Sequence, residues 1–542
     1  MNLKVFNEKK SFLLVSVSDY SSLIENMGIQ LLYYIINKIS GVSVERSFIP
    51  VEKIINELKS KNQILKSLES QIEVNKFNMI GISISNPLQL PNFFKWMELA
   101  KIPILSSDRT ENDPLIIMGG IGISNPEPFS KFVDIFFLGD SQKAIKKFVE
   151  LSKNLNKKEL LKKSKNIKGL YLPLYKNKTI PIIEKNFIRL HDSRFVKKVA
   201  TVMIDRGCDY GCDFCQYSYN TGKYYRFNSY KKISTSINYL IKNGVKKISI
   251  CSATSCSHPD IIKILKFIQK KNAKSEIYPI NATHLNSDFM LEQIKKNMGE
   301  LILNLDSPSN RLRKIIKRRS MVDDDFFNII KKAYHTFKIK NFSLFYIINL
   351  PNEKENDRLK ISKFVNSILN LGDDIKIDLF INPLFPSPNT PLERYKMELP
   401  NITLSRLQRI WDHILLKNEK ECIKKKLYAS WSHSTFLNKK GVTIKIISII
   451  DQFIEGLTLR GDDFSGMMVY DLYKNNFFNL DKNSFDTLKK IKKFLNKNYP
   501  FWKKYFKEIS LSEKLPFDHV KPIVMEKIII NRYKKIKKLL NF

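Results

Sequence analysis

Two series of short apolar runs constrain the fold of this chain more than any other feature. FLLVSVS (12–18), MIGISIS (79–85), PLIIMGG (114–120) and VDIFFLGD (133–140) form the first series. They read as buried parallel strands that end in Gly, Ser or Asp. Between the first two runs, Ile24, Met27, Leu31, Leu32 and Ile35 recur at helical spacing. Residues 1–150 are therefore expected to form a doubly wound, Rossmann-like α/β domain, in which ligands bind beyond the carboxyl ends of the strands. Gly119 and Gly120 stand at one such end. A Gly pair there serves either a tight turn or close approach of backbone to a ligand.

The second series comprises ATVMID (200–205), KISICS (247–252), IYPIN (277–281), LILNLD (301–306), FSLFYII (342–348) and IKIDLFIN (in the 376–383 region). Helix-like segments separate these runs. Six βα units over residues 196–400 predict a partial (β/α)6 barrel, with chemistry at the carboxyl ends of its strands. Residues 151–195 read as a Lys-rich connector. Residues 401–542 read as a basic, aromatic-rich and mostly helical domain. A chain of 542 residues is long enough for this many domains.

Lys and Arg number 92 against 53 Asp and Glu, a formal charge of +39. An excess this large suits nucleic acid or an anionic surface. It is spread along a chain crowded with Lys, Asn and Ile, as biased coding would also produce. Hydrophobic residues at 43% exclude a disordered chain, and six Cys exclude a disulfide framework. The N-terminal residues show no signal-peptide pattern, and no stretch nears ~20 apolar residues. The expectation is a cytoplasmic protein without a transmembrane segment.

RGCDYGCDFCQYS (206–218) follows the first strand of the second series and sets Cys208, Cys212 and Cys215 in a C-x3-C-x2-C spacing. Three thiolates on one loop can hold three irons of a [4Fe–4S] cluster and leave the fourth without a protein ligand. Gly207 and Gly211 let the loop wrap a bulky group. Phe214 can pack over a ligand or shield the cluster. Zinc is the alternative, but a structural zinc site needs four ligands, and Cys251 and Cys256 lack knuckle spacing.

With its aromatic residue before the last Cys, this segment resembles the radical S-adenosylmethionine (SAM) superfamily. The resemblance implies that SAM chelates the open iron and is cleaved by one electron to a 5′-deoxyadenosyl radical. It also implies an electron donor such as flavodoxin or ferredoxin. For the SAM pocket it implies Phe214, and Asp306, Ser307, Ser309 and Arg311 after the fourth strand. Ser252 and Thr254 stand where Cys251-Ser252-Ala253-Thr254 replaces the family's usual Gly-Gly-Glu. Leu350-Pro351-Asn352-Glu353 resembles the family's turn after strand five, with Asn349 in place of Gly. Phe385 to Pro391 resembles the segment after strand six.

Residues 19–50 and 119–140, Arg460-Gly461-Asp462-Asp463 and Leu515-Pro516-Phe517-Asp518-His519 resemble a narrower group with an N-terminal cobalamin-binding domain and unassigned substrate. That resemblance makes 119–140 a ligand-facing end and implies cobalamin contacts at Ser83, Ser85, Gly119 and Gly120. All seven histidines lie at or after His191, so the N-terminal domain has no histidine to serve as a lower cobalt ligand. A domain that kept the fold and lost the cofactor is the alternative.

The expected function is a radical SAM enzyme for cobalamin-dependent methylation or another modification of an unactivated carbon. An RNA-modifying radical SAM enzyme without cobalamin would suit the charge. The methylthiotransferase form of that idea is opposed by the absence of any Cys before Cys208. A non-catalytic iron–sulfur protein that binds a partner is the third reading. Cys251 and Cys256 read as small buried residues, with a catalytic thiol as the alternative, Cys422 as incidental, and His284 as structural, with substrate contact as the alternative. Tyr217, Tyr219, Tyr224 and Tyr225 cover the site or fill the barrel mouth. Residues 527–540 read as a basic amphipathic helix.

Overall fold

The computed structural model describes residues 10–183, 199–222, 224–278, 280, 282–285, 287–316, 321–414, 433–439, 441–482, 484–522 and 524–540. His191 and Cys422 lie outside the described residues.

The first series folds as expected. Its strands are β1 (Ser11–Ser16), β2 (Ser43–Phe48), β3 (Met79–Ser83), β4 (Leu115–Gly119), β5 (Ile135–Phe137) and β6 (Leu170–Tyr171), in sheet order β2-β1-β3-β4-β5-β6. The first five are parallel, and β6 returns antiparallel on β5. Order 2-1-3-4-5 is a doubly wound sheet whose switch point lies between β1 and β3. The register aligns Ser16, Ser83, Gly119 and Phe137 in one row. Their following loops therefore leave from a common edge. Every residue of β1 is buried, because helices cover both faces of the sheet. Asn26 fixes one of these helices. Its side chain caps Met27–Asn37 by accepting from the Ile29 amide (3.0 Å), and it donates to Ser83 Oγ (3.2 Å).

The second series begins with β7 (Val199–Met203), followed by a short antiparallel pair, β8 (Asp205–Arg206) and β9 (Arg226–Phe227). Then come β10 (Lys247–Cys251), β11 (Lys274–Tyr278), β12 (Glu300–Asp306), β13 (Asn341–Ile348) and β14 (Lys376–Pro383). The six expected strands are thus β7 and β10 to β14. Among the described residues they form two hydrogen-bonded sheets, β11-β10-β7 and β12-β13-β14 extended by two further strands. Neighbouring strands of the six run parallel within each sheet. In β14, Ile377, Leu379 and Ile381 are buried, while Asp378, Phe380 and Asn382 are half-buried. One face packs on helices and the other lines an open side.

The extension comes from the C-terminal region. β15 (His433–Lys439) and β16 (Val442–Ile447) form an antiparallel hairpin, and β16 pairs parallel with β14. Val442, Ile444 and Ile446 are buried in alternation, a period-two signal within a region read as mostly helical. The rest of that region is helical, including Ile449–Leu459, Asp463–Lys474, Phe485–Asn498 and Glu526–Leu540. No helix among the described residues is long and apolar enough to cross a membrane.

The C-terminal helices tie the two α/β units together. Asn125, 3% exposed, donates from Nδ2 to the carbonyls of Leu459 (3.2 Å) and Gly461 (2.8 Å) at the end of Ile449–Leu459. Phe94 packs edge-on against Phe132 and Tyr470, with ring centroids 4.9 and 5.0 Å apart. Tyr171 donates to Glu127 (2.6 Å), and its ring lies 4.3 Å from that of His519. The motifs Asn125–Phe129, Arg460–Asp463 and Leu515–His519 thus contribute to an interdomain seam. Within 119–140, read above as one ligand-facing end, the structure places Asn125 and Glu127 in that seam.

Candidate functional site

The cysteine loop leaves β8 at the carboxyl end of the first barrel strand. Gly207 has φ +91°, and a Cβ there would meet the Tyr224 carbonyl at 2.2 Å, so only Gly lets the loop close. The Cys208 amide donates to Gly222 O (3.2 Å), and the Cys215 amide to Cys212 O (3.1 Å). Cys212 is buried, whereas Cys208 and Cys215 are half-buried. The Tyr225 hydroxyl reaches Ser257 Oγ (3.2 Å) and Cys208 Sγ (3.9 Å). Among the described residues, no three His, Cys, Asp or Glu side chains stand close enough together to hold a metal ion. The donor set is three soft thiols spaced along one loop. Such a set suits a cluster, whose thiolates sit on separate irons.

Phe214 packs against a buried cluster that includes Leu312, Leu350, Leu384 and Leu392, from the segments after β12, β13 and β14. Ser252 donates to the buried Asp205 carboxylate (2.7 and 2.9 Å) and accepts from the Thr254 amide (3.0 Å). Burial pushes Asp205 up to about 6, against the opposing hydrogen bonds from Ser252 and the Ala253 amide. Asp205 was not singled out from the sequence. Its place three residues before Cys208 was the available signal.

The turn after β12 is bent at Asp306, which takes φ +57° beside a register shift. Ser307 and Ser309 are fully buried. Ser309 Oγ donates to Asp357 Oδ1 (2.8 Å), and Arg311 pairs with Asp357 Oδ2 and donates to Asn352 O (2.8 Å). The structure thus brings together the segments after β12 and β13, and Ser309 and Arg311 brace them. Asn349 has φ +65°, the left-handed conformation that Asn adopts more readily than most residues. It therefore preserves the turn that Gly would make, and its side chain bonds Thr403 (2.9 Å) and Arg406 (2.5 Å).

A cavity of about 390 Å³ lies where the row of N-terminal strand ends faces the barrel. Ser83, Ser85, Gly119 and Gly120 all line it. Ile82, Ile84, Ile117, Met118 and Ile121 make its N-terminal side apolar. Met203, Arg206, Tyr217, Asn220, Thr221 and Cys251 line it from the barrel. Gly120 itself makes room for protein, since a Cβ there would meet Ile84 O at 2.2 Å. The helix Gln216–Thr221, directly after Cys215, joins the two sides. Ser124 Oγ donates to Gln216 Oε1 (2.6 Å) and accepts from Asn220 Nδ2 (2.8 Å). Asp140, after β5, pairs with Arg206 and lies 3.5 Å from Arg226. Tyr217 is pushed up to about 12, chiefly by burial, with Cys251, Asp205 and Cys208 adding to it.

Among the other candidates, Tyr219 is buried and Tyr224 is exposed. Cys256 is buried, and desolvation pushes its thiol up to about 12. Burial lowers the His284 pKa.

Two families match this chain. The one described as radical SAM proteins, N-terminal, matches residues 28–173, and the radical SAM superfamily matches residues 202–365. The uncharacterized protein MJ0966 of Methanocaldococcus jannaschii is 24% identical over 351 residues, covering 61% of this chain and 72% of the relative. A tRNA-2-methylthio-N(6)-dimethylallyladenosine synthase of Karelsulcia muelleri is 24% identical, covering 55% of this chain and 64% of the relative. Among solved structures, the radical SAM methyltransferase TsrM of Kitasatospora setae is 12% identical over 72% of this chain and 75% of its own, with a TM-score of 0.49. Two radical SAM family matches lie in chain order, and the cysteine loop falls inside the second. The chain belongs to the radical SAM superfamily and is a radical SAM enzyme.

Proposed function

We propose that Cys208, Cys212 and Cys215 hold a [4Fe–4S] cluster with one iron open to SAM, and that the interdomain cavity takes cobalamin. The chain would then methylate or otherwise modify an unactivated carbon. The observation that carries this reading is the shared cavity: the N-terminal strand ends face Cys251 and the helix that follows Cys215. Bound there, a reduced cluster supplies the electron that splits SAM, and a corrin supplies a transferable methyl group.

The chain's own residues bind and orient. The apolar N-terminal side suits a flat ring and keeps water from its face. Ser83 and Ser85 offer hydroxyls at the rim, and Ser83 is oriented by Asn26. The described residues lining the cavity include no histidine, so a bound cobalt would have no imidazole ligand from them. On the SAM side, we assign contacts to Phe214, Ser252, Thr254, Asp306 and Ser307. Ser309 and Arg311 hold the Asp306 turn through Asp357. Asp205 can hold a proton beside Ser252 near pH 6. A flavodoxin or ferredoxin would deliver the electron, in the reducing cytoplasm.

The test is the absorption spectrum of anaerobically reconstituted chain after incubation with hydroxocobalamin and desalting. About one equivalent of retained corrin supports the reading. Cluster absorption without corrin removes the cobalamin half of it. Cys208→Ala should lose the cluster and all 5′-deoxyadenosine formation, and a variant that still forms it refutes the ligand assignment.

RNA as substrate is the second reading, favoured by the +39 charge and by similarity to the tRNA-modifying enzyme. RNA affinity that falls steeply with salt would support it.

A further inference from the structure

The cluster loop is held from the far end of the chain. Asp213 lies between Cys212 and Cys215, and its side chain is fully buried. Arg532, on the helix Glu526–Leu540, grips it with a fork. Nε donates to Oδ1 (3.1 Å) and Oδ2 (2.9 Å), and Nη2 donates to Oδ2 (2.6 Å). Nη2 also donates to the Ile315 carbonyl (2.7 Å). The Asp213 backbone is held as well: its amide donates to Ile316 O (3.2 Å), and its carbonyl accepts from the Leu392 amide (3.2 Å). Three loops and the C-terminal helix thus converge on the residue between two cluster thiols. A planar guanidinium bonded to both carboxylate oxygens fixes orientation as well as charge. Breaking such a buried pair from one side leaves an uncompensated charge.

We propose that Arg532 is a positioning residue for the iron–sulfur site, setting the Cys212–Cys215 arm through Asp213 so that the loop retains its cluster. The C-terminal helix is then part of the cofactor site. This rests on the assignment of the three cysteines as cluster ligands.

The experiment measures iron per chain, and the electron paramagnetic resonance spectrum of the reduced cluster, after anaerobic reconstitution and desalting. Arg532→Gln should keep less than half the parent's iron. The double variant Arg532→Gln/Asp213→Asn should regain most of it, because no unpaired charge is then buried. Tyr533→Phe is the control. It removes the hydrogen bond from Tyr533 of the same helix to Glu508 while sparing the fork, and should keep its iron and spectrum. If Arg532→Gln fails to fold by circular dichroism, Arg532→Lys carries the test. It keeps the charge without the fork, and should fold with altered spectrum and reduced iron.

Parent-like iron and spectrum in Arg532→Gln, or in Arg532→Lys where that variant carries the test, would overturn the proposal. So would equal loss in Tyr533→Phe. A parent chain that takes up no cluster would instead overturn the ligand assignment, which separates the two failures.

Discussion

Gly119 and Gly120 are neighbours with very different expected responses to a single methyl group. Gly120 has φ +117°, and a Cβ there would stand 2.2 Å from the Ile84 carbonyl oxygen, more than 1 Å inside ordinary contact. The backbone conformation costs an L-residue about 1–3 kcal/mol. Forcing the loops apart adds about 1–3 kcal/mol. Gly120→Ala should therefore destabilise the chain by roughly 4 kcal/mol, a large part of the roughly 5–15 kcal/mol that holds an ordinary domain. Gly119 lies in the regular strand β4, and its nearest atom would be Phe137 O at 3.1 Å, where a few tenths of an ångström suffice. Gly119→Ala should cost under about 1 kcal/mol. The assay is thermal and urea unfolding of both variants beside the parent, followed by tryptophan fluorescence. The physical reason is that Ile84 leads out of β3 and rests on Gly120 at the mouth of the cavity. Equal stability of the two variants, or a worse outcome for Gly119→Ala, would refute this account.

Asp205 should give a pH signature. Its folded pKa is raised from 3.8 to about 6, so the folded state binds the extra proton. Its contribution is fully present below pH 3.8 and is lost as pH rises through 6. Asp205→Asn should therefore gain stability relative to the parent between pH 4 and pH 7, on the order of 2–3 kcal/mol. A difference in melting temperature that stays flat across that range would count against it. Asn125→Ala removes the donors that satisfy buried helix-end carbonyls, and should cost about 2–4 kcal/mol in thermal unfolding. Asn125→Asp should be no better, because a carboxylate cannot donate; a loss under about 1 kcal/mol in either variant would refute the role of this seam.

Much of the fold was legible because its signals are local. The short apolar runs of the first series became β1, β3, β4 and β5, and those of the second became β7 and β10 to β14. The β15–β16 hairpin lies in a region expected to be mostly helical, and its local signal is only the short alternation of Val442, Ile444 and Ile446. Asn349 stands where the resemblance would put Gly, and its φ of +65° keeps the turn.

The sequence by itself determined the two α/β series, the three thiols on one loop and the absence of an N-terminal histidine. Each depends on residues close in the chain or on composition, so spacing alone reveals it. Only the tertiary structure decided what faces what. Gly120 could be read as an open cradle until Ile84 O was placed against it. The stretch 119–140 is expected from the sequence to face a ligand, and the fold sets its Glu127 against Tyr171. Asp213 and Arg532 are 319 positions apart, and no periodicity links them. Burial gives their pairing its importance: a carboxylate stripped of water beside two thiols needs a fixed cation, and folding alone brings that cation to it.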